Sequence, residues 1–450
     1  MDQSHKNMHL QIPIITIFMI LLASLVLCNS SYIVEPLDQT NSEYYYNSHD
    51  GRLIKTKHQH FGHITRSNRD NFLSSKSRGM VNVDDFGAQA DGRDDREAFK
   101  KAWNEACSKG CTLVVPKNKI YLLKPITFSG PCQPNTSFML YGTIEAWPQL
   151  SAYTDRQHWI VFDSVTNFSV EGGGTFNGNG KKWWKNSCKY NNNLTCNDEP
   201  RPHAVTFYGC KNLRVENLRF KDPQKMHVSF ERCFNVFVSN LVMRAPQNSP
   251  NTDGIHVTET QNIDITNCDI GTGDDCISII SGSKNVQATN ITCGPGHGIS
   301  IGSLGRDNTE AEVSNVVVKR ATLIGTKNGV RIKTWQGGSG YARNIKFMDI
   351  EMQNVTNPII VDQSYCDQTK PCKEQNKGVQ LSRVLYQNIR GTSASEVAIT
   401  FECSKIVPCR EIYLQDVILE QEEGSGGTIA TCKNVKYVNR GKFYPQCSPA

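Results

Sequence analysis

Asp253, Asp274, Asp275 and His297 stand in three short stretches, NTDG at 251–254, GDD at 273–275 and GHG at 296–298. Asp253, Asp275 and His297 are spaced 22 residues apart. Aligning Ile255, Ile277 and Ile299 as equivalent inward residues of successive parallel strands, which lie about 4.8 Å apart, puts those three in one column. Asp274 then lies beside the middle rung. Repulsion among carboxylates that close raises at least one carboxyl pKa, so a proton is retained under mildly acidic conditions. A carboxylic acid beside a carboxylate is what glycoside hydrolysis needs: one protonates the leaving oxygen, and the other activates water or attacks directly. A calcium site and a ladder of turn-capping aspartates are the other readings of these residues, and a triple in register weighs against them.

The following coils bring cations to the same face. In NGVRIKTW, Val330 and Ile332 point inward, so Arg331 and Lys333 point outward. Beside clustered negative charge they restrain repulsion and suit an anionic substrate, since arginine grips a carboxylate through two hydrogen bonds. One coil on, VDQSYC offers Tyr365 as a ring on which a sugar could pack.

The elements that must hold these residues are repeated short strands. NLRVENL, NVFVSNL, NIDITNC, NVQATNI, NVVVKRA and NIKFMDI begin at Asn212, Asn235, Asn262, Asn285, Asn315 and Asn344, with RVLYQNI from Arg383 and EIYLQDV from Glu411 as weaker copies. Each alternates apolar and polar residues as a strand with one buried face does, and a period in this range marks a repeat architecture. The alternation excludes helical solenoids. An antiparallel sandwich gives no reason for Asn to recur at one turn, whereas a parallel β-helix lets those residues stack coil upon coil. The expected fold is all-β: a single-stranded right-handed parallel β-helix. A short helix at 95–108 caps its N-terminal end, where open strand edges would invite aggregation. Asp94 with Glu97 forms a capping-box pattern for that helix, Ala98, Phe99, Ala102, Trp103 and Ala106 share one face, and Gly110 stops it.

The formal charge of the 450-residue chain is +6, which slightly favours an anionic partner. No long basic run or aromatic-basic ladder points to nucleic acid. The apolar run IPIITIFMILLASLVLCNS ends in small residues, the pattern of a secretory signal peptide over 1–30. Residues 31–80, rich in Ser, Asn, Tyr and His, read as a linker or pro-segment, and 81–450 as the β-helix domain. Losing Cys28 with the signal leaves sixteen of seventeen cysteines, an even set that suggests disulfides in an oxidising compartment. Short separations favour Cys366 with Cys372, Cys403 with Cys409, and Cys432 with Cys447, and no spacing resembles a zinc site. Asn135, Asn167, Asn193, Asn290 and Asn354 lie in N-x-S/T acceptor sequences. A secreted, extracellular protein follows, with no membrane association once the signal is removed.

In their order and spacing NTDG, GDD, GHG and RIK (331–333), together with the opening DDFGAQADG, resemble the signature of the polygalacturonase family of glycoside hydrolases, its plant members in particular. The resemblance runs from about Val81 to the C-terminus and finds no departure within the motifs. It implies a β-helix of the pectin lyase-like class that cleaves α-1,4 bonds between galacturonic acid units of pectin with inversion, as a monomer in the cell wall, without cofactor or metal. Carried over by motif, Asp274 is the general acid, Asp253 and Asp275 activate water, and His297 supports the protonation state and contacts sugar. Arg331 and Lys333 bind galacturonate carboxylates, Asn251 and Tyr365 contact substrate, and Cys276 pairs with Cys293.

Bare rung spacing of about 4.8 Å is nearer the carboxyl separation of retaining enzymes than the roughly 6.5–9.5 Å of inverting ones, so inversion rests on the resemblance. A calcium-dependent pectate lyase and a non-catalytic pectin-binding wall protein are the competing readings. Endo action is expected over exo, with insertions near 178–203 and 363–380 as the segments that would close the groove.

Overall fold

In the computed structural model, residues 79–189, 200–368, 372–422 and 427–447 are described. The signal peptide and nearly all of the linker expected over 31–80 lie outside them. From Met80 onward the chain forms one unit whose strands pair in parallel, coil upon coil. One face is a sheet of eleven strands in sequence order: β1 (Ile126–Ser129), β2 (His158–Asp163), β3 (His203–Tyr208), β4 (Val228–Glu231), β5 (Ile255–Thr258), β6 (Ile277–Ile279), β7 (Ile299–Leu304), β8 (Asn328–Thr334), β9 (Asn357–Asp362), β10 (Val397–Glu402) and β11 (Ile429–Lys433). The other faces carry eighteen further strands. The hand is right, as parallel crossovers require.

Register follows from apolar alternation. Ile160, Val205, Val228, Ile255, Ile277, Ile299, Val330 and Ile359 form one continuous inward row. A second row begins with Phe128, Phe162, Phe207 and Phe230, whose rings stack at 5.1, 5.0 and 5.3 Å. These side chains are fully buried, each contributing about 1.5–3 kcal/mol. Shifting one strand by one residue would turn its whole row out to solvent, so the pattern fixes the column of outward residues as firmly as the core.

The repeat copies form the adjacent wall, with Leu213, Val236, Ile263, Val286, Val316, Ile345, Val384 and Ile412 in register. Their leading asparagines stack as expected, each side-chain amide donating to the Asn one coil back at 2.8 to 3.1 Å. All sit at φ of 52° to 58°, the left-handed bend that Asn tolerates better than most residues. Arg383 and Glu411 take the same bend and face each other at 3.8 Å, a charge pair in place of the amide contact. The sixth residue of each copy builds a second set of stacked bends, including Asn240 on Asn217 and Asn290 on Asn267. Of the glycan acceptor sequences, Asn290 therefore has its amide engaged, Asn135 is exposed, and Asn193 lies outside the described residues.

Helix α1 (Arg96–Lys109) buries Ala98, Phe99, Ala102, Trp103 and Ala106 and ends at Gly110 in the left-handed region. Trp103 packs on Phe128 and Phe168 at 5.3 and 5.6 Å and donates Nε1 to the Ser129 carbonyl at 3.0 Å. Trp103→Ala should cost about 3–5 kcal/mol, read as a lower denaturant midpoint; an unchanged midpoint would mean that the helix does not seal this end. The expected capping box does not form. Asp95 is the N-cap, but its carboxylate accepts from Gln89 and Ala90 of the preceding loop. Asp94 accepts from the backbone of Arg96 and Lys124, and Glu97 pairs with Arg96 and Lys100. Loop closure takes the carboxylates that the pattern assigned to the helix.

The disulfides 276–293, 366–372, 403–409 and 432–447 are present, and Cys107–Cys132, which short spacing does not reveal, ties α1 to the first coils. The even count does not mean full pairing. Among the described residues Cys210, Cys233 and Cys268 are free and buried, serving as small apolar residues. Among the described residues no helix is long and apolar enough to cross a membrane.

Candidate active site

The eleven-stranded sheet sets the site. Ile255, Ile277 and Ile299 are in register, so the turns entering β5, β6 and β7 deliver Asp253, the Asp274–Asp275 pair and His297 to one edge. β8 supplies Arg331 and Lys333, and the segment after β9 supplies Tyr365. The turns are pinned below the surface: Thr252 Oγ1 accepts from Gly273 N at 3.0 Å and meets Ser249 Oγ at 2.7 Å, and Thr272 Oγ1 donates to the Thr252 carbonyl. Gly273 is demanded by this closeness, because a Cβ there would lie 2.1 Å from the Ser249 carbonyl oxygen.

Asp275 is the hub. It is 2% exposed, and both oxygens are occupied. Oδ1 accepts from Ser300 Oγ and an Arg331 terminal nitrogen, each at 2.8 Å, and Oδ2 accepts from Lys333 Nζ at 3.1 Å. Arg331 Nε also donates to Ser300 at 3.0 Å. A buried carboxylate is tolerable when paired and hydrogen-bonded in this way. Lys333 Nζ lies 5.5 Å from the centre of the Tyr365 ring, which meets Trp335 edge-on at 5.5 Å. Arg331 and Lys333 do lie on the outer face, yet they turn first toward Asp275.

Asp274 faces the other way. Its Oδ1 lies 3.2 Å from His297 Nδ1 and accepts from the Asp275 backbone N–H at 2.9 Å, while Oδ2 is 3.4 Å from Asn251 Nδ2. Arg201 donates to Asn251 Oδ1 at 2.6 Å and to the Pro250 carbonyl at 2.9 Å, clamping Asn251. The side chains of Asp274 and His297 are 15% and 30% exposed, against 3% for Asp275, so this pair is what a substrate would meet.

The carboxyls are pushed apart electrostatically. Burial, then repulsion from Asp274 and Asp275, raises Asp253 to about 7, with hydrogen bonding to Ser278 opposing. For Asp274 burial acts in the same upward direction, but the hydrogen bond and charge of His297, with Lys333 and Lys189, outweigh it and hold the carboxyl below its ordinary value. Divergent carboxyls are the raw material of acid–base chemistry.

A raised carboxyl means that the folded chain holds a proton the unfolded chain releases. The resulting stability is complete below the ordinary value of 3.8 and is lost as pH climbs through about 7. Asp253→Asn, which cannot ionise, should therefore gain on the parent chain between pH 4 and pH 7, by up to about 4 kcal/mol. Denaturant midpoints at the two ends of that window check this; parallel stability curves would return Asp253 to an ordinary carboxylate.

Sequence reading overlooked several members. Ser278 and Ser300 share the outward row with His256 and Arg331, and that register was the available signal. His227 is wholly buried under Asp253, whose carbonyl takes its backbone N–H at 2.8 Å and lies 2.9 Å from its Nδ1. Arg201 arrives on a connection 50 residues from Asn251, with no local pattern to reveal it.

The profile described as "Glycosyl hydrolases family 28" matches residues 107–443. The chain is 52% identical over 450 residues to "Polygalacturonase QRT2" of Arabidopsis thaliana, covering 98% of this chain and 100% of that one. It is 57% identical over 359 residues to "Polygalacturonase" of Persea americana, covering 79% and 77% of the two chains. Among solved structures, the exopolygalacturonase of Thermotoga maritima superposes with a TM-score of 0.67 at 22% identity, over 80% of this chain and 90% of that one, a likeness of fold. With most of its length matched both by the profile and by relatives more than half identical, the chain belongs to the glycosyl hydrolases of family 28.

Proposed function

We propose that the chain is a secreted polygalacturonase that hydrolyses α-1,4 bonds of de-esterified pectin as a monomer in the plant cell wall, in wall loosening or cell separation. The carrying observation is the division of labour among the aspartates. Asp275 is neutralised by Arg331 and Lys333, while Asp274 stands partly exposed against His297. Asp253 and Asp274 interact strongly and act as a dyad with one proton at mildly acidic pH. In the free chain His297 favours the proton on Asp253. The productive form carries it on Asp274, facing the leaving oxygen, and leaves Asp253 with Asp275 to activate water on the opposite face of the bond. Arg331 and Lys333 keep donors beyond those spent on Asp275, and these receive a galacturonate carboxylate. Asn251 orients Asp274, and Tyr365 borders the sugar. Endo action with inversion is the reading we adopt, which the relatives' names leave open.

The same two cations weigh against a calcium-dependent lyase, because an ion held by Asp274, Asp275 and His297 would sit against Lys333 and Arg331. Incubation with polygalacturonic acid at mildly acidic pH, with and without chelator, tests the proposal. New reducing ends without ultraviolet-absorbing product, indifferent to chelator and accompanied by an early fall in viscosity, are expected. Calcium-dependent absorbance would make it a lyase, and no product from folded protein would leave a binding role.

A further inference from the structure

Along the same sheet, toward its N-terminal end, a second group of titratable side chains has no part in that chemistry. His158 on β2, His203 on β3 and Glu231 on β4 each offer one ligand atom, and these atoms lie within 4.8 Å of one another. His158 and His203 are directly paired residues of adjacent strands, with ring centroids 5.9 Å apart. His203 Nδ1 lies 3.4 Å from Glu231 Oε1 without hydrogen-bond geometry, and it is a buried nitrogen with no hydrogen-bond partner. A buried, unsatisfied imidazole nitrogen aimed at a carboxylate is costly unless something sits between them.

We propose that His158, His203 and Glu231 form a binding site for one divalent transition-metal ion of the Zn2+ class, separate from the aspartate cluster. Two imidazoles and a carboxylate are a donor set that zinc accepts, with metal-to-ligand distances of about 2.0–2.2 Å. Modest closure of the present spacing would reach it. Nitrogen donors disfavour calcium, which takes oxygen ligands. The outer groups suit the role: Ser229 Oγ donates to Glu231 Oε1 at 2.8 Å, and Asp155 Oδ2 lies 3.8 Å from His158 Nδ1, the kind of carboxylate that orients a ligating imidazole. Lys225, whose charge reaches His203, acts against binding.

The site also has a route to the catalytic edge. His203 faces His256 with ring centroids 6.1 Å apart, His256 Nδ1 meets Ser278 Oγ at 2.7 Å, and Ser278 is hydrogen-bonded to Asp253.

The experiment is a Zn2+ titration, by calorimetry, of the full chain stripped with chelator, with Co2+ as a spectroscopic probe of coordination. One ion per chain is expected. Binding should weaken by about a hundredfold or more in Glu231→Gln and His203→Ala, and remain in Asp274→Asn. Should His203→Ala not fold, judged by circular dichroism, the more exposed His158→Ala decides in its place. Loss of binding in Asp274→Asn with retention in Glu231→Gln would move the ion to the aspartate cluster and overturn the proposal. Binding that survives all three cluster substitutions, belonging then to other histidines such as His58, His60 and His63, or no binding at all, would overturn it equally.

Discussion

Asp274→Asn should lower turnover on polygalacturonate by about 10^2–10^4-fold, the usual worth of a positioned general acid, with the fold retained and substrate binding nearly unchanged. The replacement is isosteric. The amide oxygen can still accept from the Asp275 backbone N–H and face His297 as Oδ1 does now, but the group has no acidic proton to deliver. A second substrate separates acid from base. An aryl galacturonide whose leaving group departs without protonation should be cleaved by Asp274→Asn far better than the polymer is, relative to the parent chain. Asp253→Asn should be poor on both. The opposite pattern would exchange the two roles, an exchange that the raised Asp253 makes worth testing.

Arg331→Ala should be the most damaging change on the cationic side. It removes a donor from Asp275 and another from Ser300, leaving a buried carboxylate supported by Lys333 and Ser300 alone. Breaking a buried pair from one side costs about 3–5 kcal/mol, and a chain of this kind has about 5–15 kcal/mol in total. The variant should therefore unfold at a markedly lower denaturant concentration and, where folded, show a raised KM for polygalacturonate. Lys333→Ala should share the KM effect. Equal losses on a neutral oligosaccharide would mean that these residues act only through Asp275 and never hold a substrate carboxylate. A denaturant midpoint unmoved in Arg331→Ala would show that Asp275 does not depend on it.

The columns could be read directly from sequence because a parallel coil is a translation: residues at equal offsets from an inward isoleucine must share a rung. Asp253, Asp275 and His297 followed from that alone, and so did the leading asparagines. What a side chain does within its rung could not be read. Asp274 and Asp275 are neighbours in sequence, yet one turns to His297 and the other to Arg331 and Lys333, a divergence set by partners 23 to 58 residues away. Arg201 escaped because its contact crosses a long connection. The second set of stacked bends was written in the sixth position of the same copies and went unread. Cysteine parity pointed to disulfides but not to which thiols stay out of them, for a physical reason: a thiol inside a β-helix core is satisfactory as a small apolar group, so an oxidising compartment would not oblige it to pair.

The stacked asparagine bends have a consequence for how such a chain can change over generations. Each bend closes with the coil before it, across separations of 23, 27, 23, 30 and 29 residues, so unequal coils meet at the same corner. Length can therefore be gained or lost in the connections on the catalytic side while the corner stays in step and the inward rows remain aligned. Coils become interchangeable modules, and natural variation is free to remodel the rim of the cleft without renegotiating the scaffold beneath it.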